Sequence, residues 1–395
     1  MHLLKPFCVA ASVSWLMMLA SAAAPTAPRD EPESRPASRP SGKELRREAE
    51  QLAETYLERL GPDYKAHTDS KNHLVYVTAL DAGLQRDVRR LLAAQLEAHR
   101  RTLFPHALAH NVVVLLPTAR DYDRLAGHPD ALGQYVPSQR CLVSMTLGST
   151  LLHEFTHVVH HNDQLLHGQE HALWVVEGLA TLYQSASEED GRLVPRAEFG
   201  LTEVQTALRN DDAIPLAELV RMKRERFTEL AETTYPQARW LALYLQRHEK
   251  LESFYRAYKD TYERDAMGVT ALEEVLDRPL AEIEADWREW VLEQDPPWRP
   301  GYDTVAHLGI RMAKHERGVR VDGFLRGSAA HRAEQLKVGD VILTVAGTPT
   351  PKPRALTEAI RSCRPGQSVA IEVLRDERLA RVTQVLGGIK HKPAD

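Results

Sequence analysis

The chain has 395 residues, a length that suggests two or three domains. Its apolar fraction of 43% allows a sizeable core, and a formal charge of −5 with a pI near 6.4 gives no general reason to expect nucleic acid. No basic stripe with interleaved aromatics occurs.

The first residues have the layout of a secretory signal peptide. Met1–Lys5 supplies a short positive region, Phe7–Leu19 is apolar and broken only by serines, and Ala20-Ser21-Ala22 supplies small residues for cleavage. A signal peptide over 1–22 predicts export to a bacterial periplasm or the cell exterior. The apolar run is short for a membrane span, so none is expected after cleavage. Cys141 and Cys363 then remain, in different expected domains; both should pack as small apolar side chains without a disulfide. Residues 23–43 are rich in Pro, Ser, Ala and charge, the composition of a disordered linker.

Order is expected from about residue 44. KELRREAEQLAETYLERL has a helical pattern ended by Gly61-Pro62, and HLVYVTAL has the β-branched and aromatic content of a strand. A long amphipathic helix follows, with Asp81 as N-cap and Pro105 as its stop. NVVVLLP has strand length, DYDRLAG reads as a short helix, and GQYVPSQRCLVSM reads as two extended pieces around Pro137-Ser138. From residue 171 to about 294 apolar residues recur at three and four, with SEEDGRL as a solvated loop between helices. DPPWRPGYD, 295–303, is punctuated like a linker, and 303–390 has the short strands and glycines of a second domain.

HEFTHVVHH, 153–161, carries the chemistry. Leu151, Leu152, Phe155, Val158 and Val159 keep a helical rhythm, with Gly148-Ser149-Thr150 as its start and Asn162-Asp163 as its expected stop. His153 and His157 therefore share one helix face, where two imidazoles can hold one zinc ion. Glu154 sits about 100° around the helix, placed to act as general base on a water at the metal's open side. A catalytic zinc needs a third ligand, and Glu177 lies in WVVEGLATLY, an apolar segment where a carboxylate must be paired or metal-bound. His160 and His161 form a competing turn, since His157 and His161 are also four apart. They are expected at the helix end, and His167 and His171 on the surface of the following connection.

HEFTH followed by WVVEGLA resembles the glutamate-zincins, metallopeptidases of the thermolysin-like superfamily. The resemblance covers about residues 44–296 and implies an α+β fold: a zincin-like mixed sheet, an active-site helix and a helical subdomain. It implies His153, His157 and Glu177 as zinc ligands and Glu154 as base, and it places in SQRCLVSM the edge strand that binds substrate backbone. The oxyanion donor in the family is often a Tyr or His on a later helix. Tyr235, before Pro236 at an expected helix start, is the first candidate; Arg239 and Tyr183 follow. Thr181 stands where the thermolysin type has a supporting Asp, so support for a histidine must come from elsewhere.

LKVGDVILTVAGTPT, within 303–390, resembles a PDZ domain. His307-Leu308-Gly309-Ile310 then matches the carboxylate-binding loop, the strand from Ile310 would accept a peptide by β-addition, and Leu356 and Ile360 would face inward from the flanking helix. Together these expectations describe an exported zinc endopeptidase whose PDZ domain recruits peptide or protein substrates, in part through their C-termini. The alternative is an envelope adaptor that holds metal with little catalysis and works through its PDZ domain.

Overall fold

The computed structural model describes residues 40–125, 132–195, 200–294 and 304–390. The expected signal peptide, nearly all of the 23–43 tether, Gly127 and the 295–303 linker lie outside them. Helix α1 (Gly42–Leu60) starts with a capping box: Ser41 accepts from the Glu44 N–H while Glu44 accepts from the Ser41 N–H. Strands β1 (Lys65–Asp69) and β2 (Leu74–Thr78) form an antiparallel pair. Helix α2 (Ala82–Thr102), capped by Asp81, leads to β3 (Val112–Leu116). The short α3 (Ala119–Leu125) precedes β4 (Gly133–Val136) and β5 (Cys141–Ser144), which are joined by a single 3-10 turn at Pro137–Gln139.

The strand order is β1-β2-β3-β5-β4, with β2, β3 and β5 parallel and the outer two strands antiparallel. The expected edge strand is therefore displaced. SQRCLVSM supplies β5, which lies inside the sheet, and the edge is β4, from GQYV. β5 takes the inner place because its four residues are all buried, whereas β4 alternates buried and half-buried side chains.

Helix α4 (Ser149–His167) follows β5 directly. It does not stop at Asn162-Asp163 but runs on to Gly168, whose left-handed conformation closes it. Both side chains bond distant partners instead of their own turn. Asn162 accepts from the Ala109 N–H, and Asp163 accepts from the Tyr255 hydroxyl at 2.7 Å and from Lys259.

The remaining helices are α5 (Leu173–Tyr183), α6 (Leu201–Arg209), α7 (Leu216–Leu219), α8 (Arg224–Glu229), α9 (Ala231–Arg247), α10 (Leu251–Thr261), α11 (Val269–Leu276) and α12 (Leu280–Glu293). SEEDGRL is not a bare loop: it carries a small hairpin, β6 (Ser187–Glu189) and β7 (Arg192–Val194). Helix α9 starts four residues before Tyr235, so Pro236 lies inside it and not at its start.

The C-terminal region holds β8 (Thr304–His307), β9 (Ile310–His315), β10 (Gly318–Phe324), α13 (Ala329–Ala333), β11 (Val341–Val345), β12 (Thr348–Pro349), α14 (Pro353–Arg361), β13 (Ser368–Arg375), β14 (Arg378–Val385) and β15 (Gly387–Lys390). Its main sheet runs β14-β13-β11-β10-β9 with β12 on β11, and β8 pairs with β15. Val319, Ile342, Leu356 and Ile371 lie in its own core. Val341, Leu343, Leu374 and Leu379 instead join the core of the first region, so the two share packed apolar surface.

Candidate metal centre

Two helices bring His153, His157 and Glu177 together. The two histidines are one turn apart on α4, and α5 packs across that face with Glu177. Their Nε2 atoms are 3.0 Å apart, and each is 3.4 Å from Glu177 Oε2. Ligands at about 2.0–2.1 Å from a tetrahedral zinc lie roughly 3.3 Å from one another, so this triangle has the size of one face of such a site. His153 Nδ1 meets Gln184 Oε1 at 3.1 Å; with the proton on Nδ1, the Nε2 lone pair turns toward the carboxylate. Glu177 Oε2 is buried and receives no hydrogen bond. An orphaned carboxylate oxygen facing two imidazole nitrogens in a buried site is costly, and a divalent cation would satisfy all three, so the residues fit zinc. Burial opposes the charge on Glu177, but His157 and His153 hold its carboxyl well below the usual range.

Glu154, next to His153 on α4, lines the same cleft. Burial pushes its carboxyl up to about 7; the nearby Glu177 charge adds to this, while His153 and the Tyr135 N–H oppose it. That N–H donates to Glu154 Oε2 at 2.8 Å from the edge strand β4. Gly133, on the same strand, has no room for a side chain, because a Cβ would lie 2.7 Å from Thr150 Cγ2 and 3.1 Å from Glu154 Cγ. The glycine lets the edge strand run against the helix that carries Glu154.

Glu177 is followed by a second close approach. A Cβ on Gly178 would lie 2.9 Å from the Ala238 carbonyl, so this glycine lets α9 press against α5. The packing brings Tyr235 to the cleft, which has a volume of about 400 Å³ and is lined by the triad, Glu154, Tyr235, Arg224 and the β4 backbone among others. Burial first, and then the charge of Glu177, push the Tyr235 hydroxyl well above its ordinary pKa, so it remains a donor.

The other candidates fall elsewhere. Arg239 is buried and donates to the Thr181 and Leu182 carbonyls and to Ser185, closing the C-terminal end of α5 instead of facing the cleft. Tyr183 is packed in the core against the edge of His99. Thr181 donates back to the Glu177 carbonyl at 2.5 Å, and Gln184, which the motifs did not single out, meets the histidine instead.

His171 is not on the surface. It is buried, lines the cleft and bonds at 2.8 Å to His160, itself fully buried; burial holds His171 down to about 4. His161 also lines the cleft, 3.1 Å from the Tyr135 hydroxyl. His106, Asp163 and His167 form a second cluster of metal-ligand type, but Lys259 already occupies Asp163.

In the C-terminal region β9 is an open edge, beginning at Ile310, and α14 packs beside it. Gly309 has φ of 75°, and a Cβ there would collide with Ser328. Leu308 and Leu356 are buried in the domain's core, leaving Ile310 and the backbone of β9 at the open side. Cys141 and Cys363 are both buried and neither is in a disulfide; the Cys363 thiol donates to the Ala359 carbonyl. Among the described residues no helix is long and apolar enough to cross a membrane.

No curated protein matches the chain. Among solved structures it is similar to the HtrA-type protease AlgW with a decapeptide, at 22% identity and a TM-score of 0.21, over 29% of this chain and 36% of that one. The chain thus spans little more than a third of that protease. It is similar to the PDZ domain of a carboxy-terminal protease from Vibrio cholerae in complex with a peptide, at 20% identity and a TM-score of 0.20, over 22% of this chain and 97% of that one. An aminopeptidase N family protein from Idiomarina loihiensis is similar over 84% of this chain and 69% of that one, at 13% identity and a TM-score of 0.34. These scores carry no conclusion about activity. Residues 306–384 match the PDZ domain family, and with the edge strand β9 beside α14 this segment is a PDZ domain.

Proposed function

We propose that the chain is an exported zinc-dependent peptidase, acting as an endopeptidase, whose PDZ domain recruits peptide or protein substrates. The observation that carries this reading is the orphaned Glu177 oxygen facing the two Nε2 atoms of His153 and His157. When bound there, zinc supplies Lewis acidity to a peptide carbonyl and to water. Glu154 takes the proton of the attacking water and returns it to the leaving amine. Tyr235 donates its O–H to the developing oxyanion. The outer edge of β4 receives an extended substrate beside Glu154. The export part of the reading rests on the signal-like residues 1–22.

The test is metal content together with cleavage of an unfolded protein, by the wild type and by Glu154→Gln. One bound zinc, turnover by the wild type and loss of turnover in the variant are expected. A metal-free wild type refutes the zinc site, and equal turnover by both refutes the role of Glu154. Peptide binding at the PDZ domain with no turnover at all would make the chain an adaptor.

A further inference from the structure

The start of α4 is buried: Leu147, Ser149 and Thr150 are each at most 5% exposed. Its N-cap is Gly148, which has no side chain to accept a hydrogen bond. A helix start shut away from water needs acceptors for its free N–H groups and favours negative charge. The residue entering it, Leu147, and the first helical side chain, Ser149, are held by the PDZ domain. Glu372, on β13, is 2% exposed and accepts the Leu147 N–H at 3.0 Å through Oε2, while Arg381 holds its Oε1 at 2.7 Å. The Ser149 hydroxyl donates to the Gly347 carbonyl at 2.5 Å. Gly148 and Gly347 meet so closely that a Cβ on Gly148 would lie 3.2 Å from the Gly347 Cα. His153 and Glu154 follow one turn along the same helix.

We propose that the PDZ domain is an integral part of the catalytic unit, with Glu372 a positioning residue that fixes α4 against β4 and α5. A buried carboxylate is costly unless paired, and Glu372 spends its two oxygens on Arg381 and on the chain entering the metal-binding helix. Holding Leu147 fixes the height and rotation of α4, and so the meeting of His153 and His157 with Glu177. The inference rests on the metallopeptidase reading and adds that the PDZ domain acts on the metal centre as well as on substrate.

The experiment uses the full chain and compares Glu372→Ala, Glu372→Gln and Arg378→Ala. Arg378 pairs with Asp63 at the exposed rim of the same contact, 3.3 Å away, and controls for loosened docking. Three quantities are read: hydrogen exchange of the 147–152 amides in metal-free protein, zinc affinity, and kcat and KM on a short peptide. Glu372→Ala is expected to speed that exchange five- to tenfold, most at Leu147, the size of a lost hydrogen bond. It should weaken zinc about tenfold, as loss of an outer support does, and lower kcat with KM unchanged. Glu372→Gln keeps an acceptor and should restore most of each, and Arg378→Ala should match the wild type. Wild-type exchange and zinc affinity in Glu372→Ala, or equal losses in Arg378→Ala, overturn the proposal. A wild type that binds no zinc sinks the metallopeptidase reading instead, and the exchange rates still report whether Glu372 holds α4.

Discussion

Replacing Gly133 by alanine probes how the edge strand sets the base. The added Cβ would sit 2.7 Å from Thr150 Cγ2 and 3.1 Å from Glu154 Cγ, where ordinary contact begins at 3.4 Å. Thr150 must then retreat by ~0.7 Å and Glu154 by ~0.3 Å, in an interior with little free space. Both residues lie in the first two turns of α4, so strand and helix separate and the 2.8 Å bond from the Tyr135 N–H to Glu154 lengthens. Overpacking of this kind costs about 1–3 kcal/mol of stability. The effect on rate is larger, because displacing a reacting group by a fraction of an ångström up to 1 Å costs about 10- to 100-fold. The assay is kcat on a fluorogenic peptide, with thermal unfolding followed in parallel. Thr150→Ser removes Cγ2, the nearest obstacle, and should recover part of the lost rate in the double variant. Wild-type kcat in Gly133→Ala, or a loss that Thr150→Ser does nothing to relieve, would refute the reasoning.

Gln184→Leu removes the partner of His153 Nδ1 and should weaken zinc by about 10- to 100-fold, measured by competition with a chelating dye. Tyr235→Phe should lower kcat by about 10²- to 10³-fold with little change in KM, as for a lost oxyanion donor; an unchanged kcat would assign that role elsewhere. Acid should destabilise the metal-free chain. His99 and His171 are held down to about 3 and about 4, and His160 is also lowered, in each case by burial first. The unfolded chain protonates these rings first, so stability is intact above about pH 6.5 and falls below it, toward the folded values, by roughly 1 kcal/mol per ring per pH unit. Glu154, raised to about 7, works in the opposite direction, but it is one group against three. A urea midpoint constant from pH 7 to pH 5 would contradict this.

The shared face of His153 and His157 was readable because helix periodicity is local: the two must share a side of any helix through Leu151 and Val158. Glu177 was readable for a different reason, a charge embedded in an apolar helix. The PDZ domain was readable from LKVGDVILTVAGTPT. What escaped depends on partners far along the chain. Nothing around Gln184 says that its amide will meet an imidazole 31 residues earlier. Asn162 and Asp163 look like a helix stop until Ala109 and Tyr255 are brought beside them. β5 and β4 are both short extended pieces, and only the parallel pairing of β3 with β5 decides which is the edge. Strand β1, KAHTD, has almost no apolar content and is held by the register of β2. Glu372 reads as an ordinary polar residue in a strand, and its use is visible only with α4 in place.

The triangle of His153, His157 and Glu177 has a consequence for the polypeptide before any ion arrives. Two imidazole nitrogens and a carboxylate oxygen converge over 3.0 to 3.4 Å, an arrangement that depends on how α4 and α5 are held. It persists because α4 and α5 are clamped from outside, by Arg239 on the end of α5, by Gly178 against α9, and by Glu372 ahead of α4. The scaffold thus presents three donor atoms at the spacing of one face of a tetrahedral site. A cation entering it finds its ligands in place, so little of its binding energy goes into ordering them.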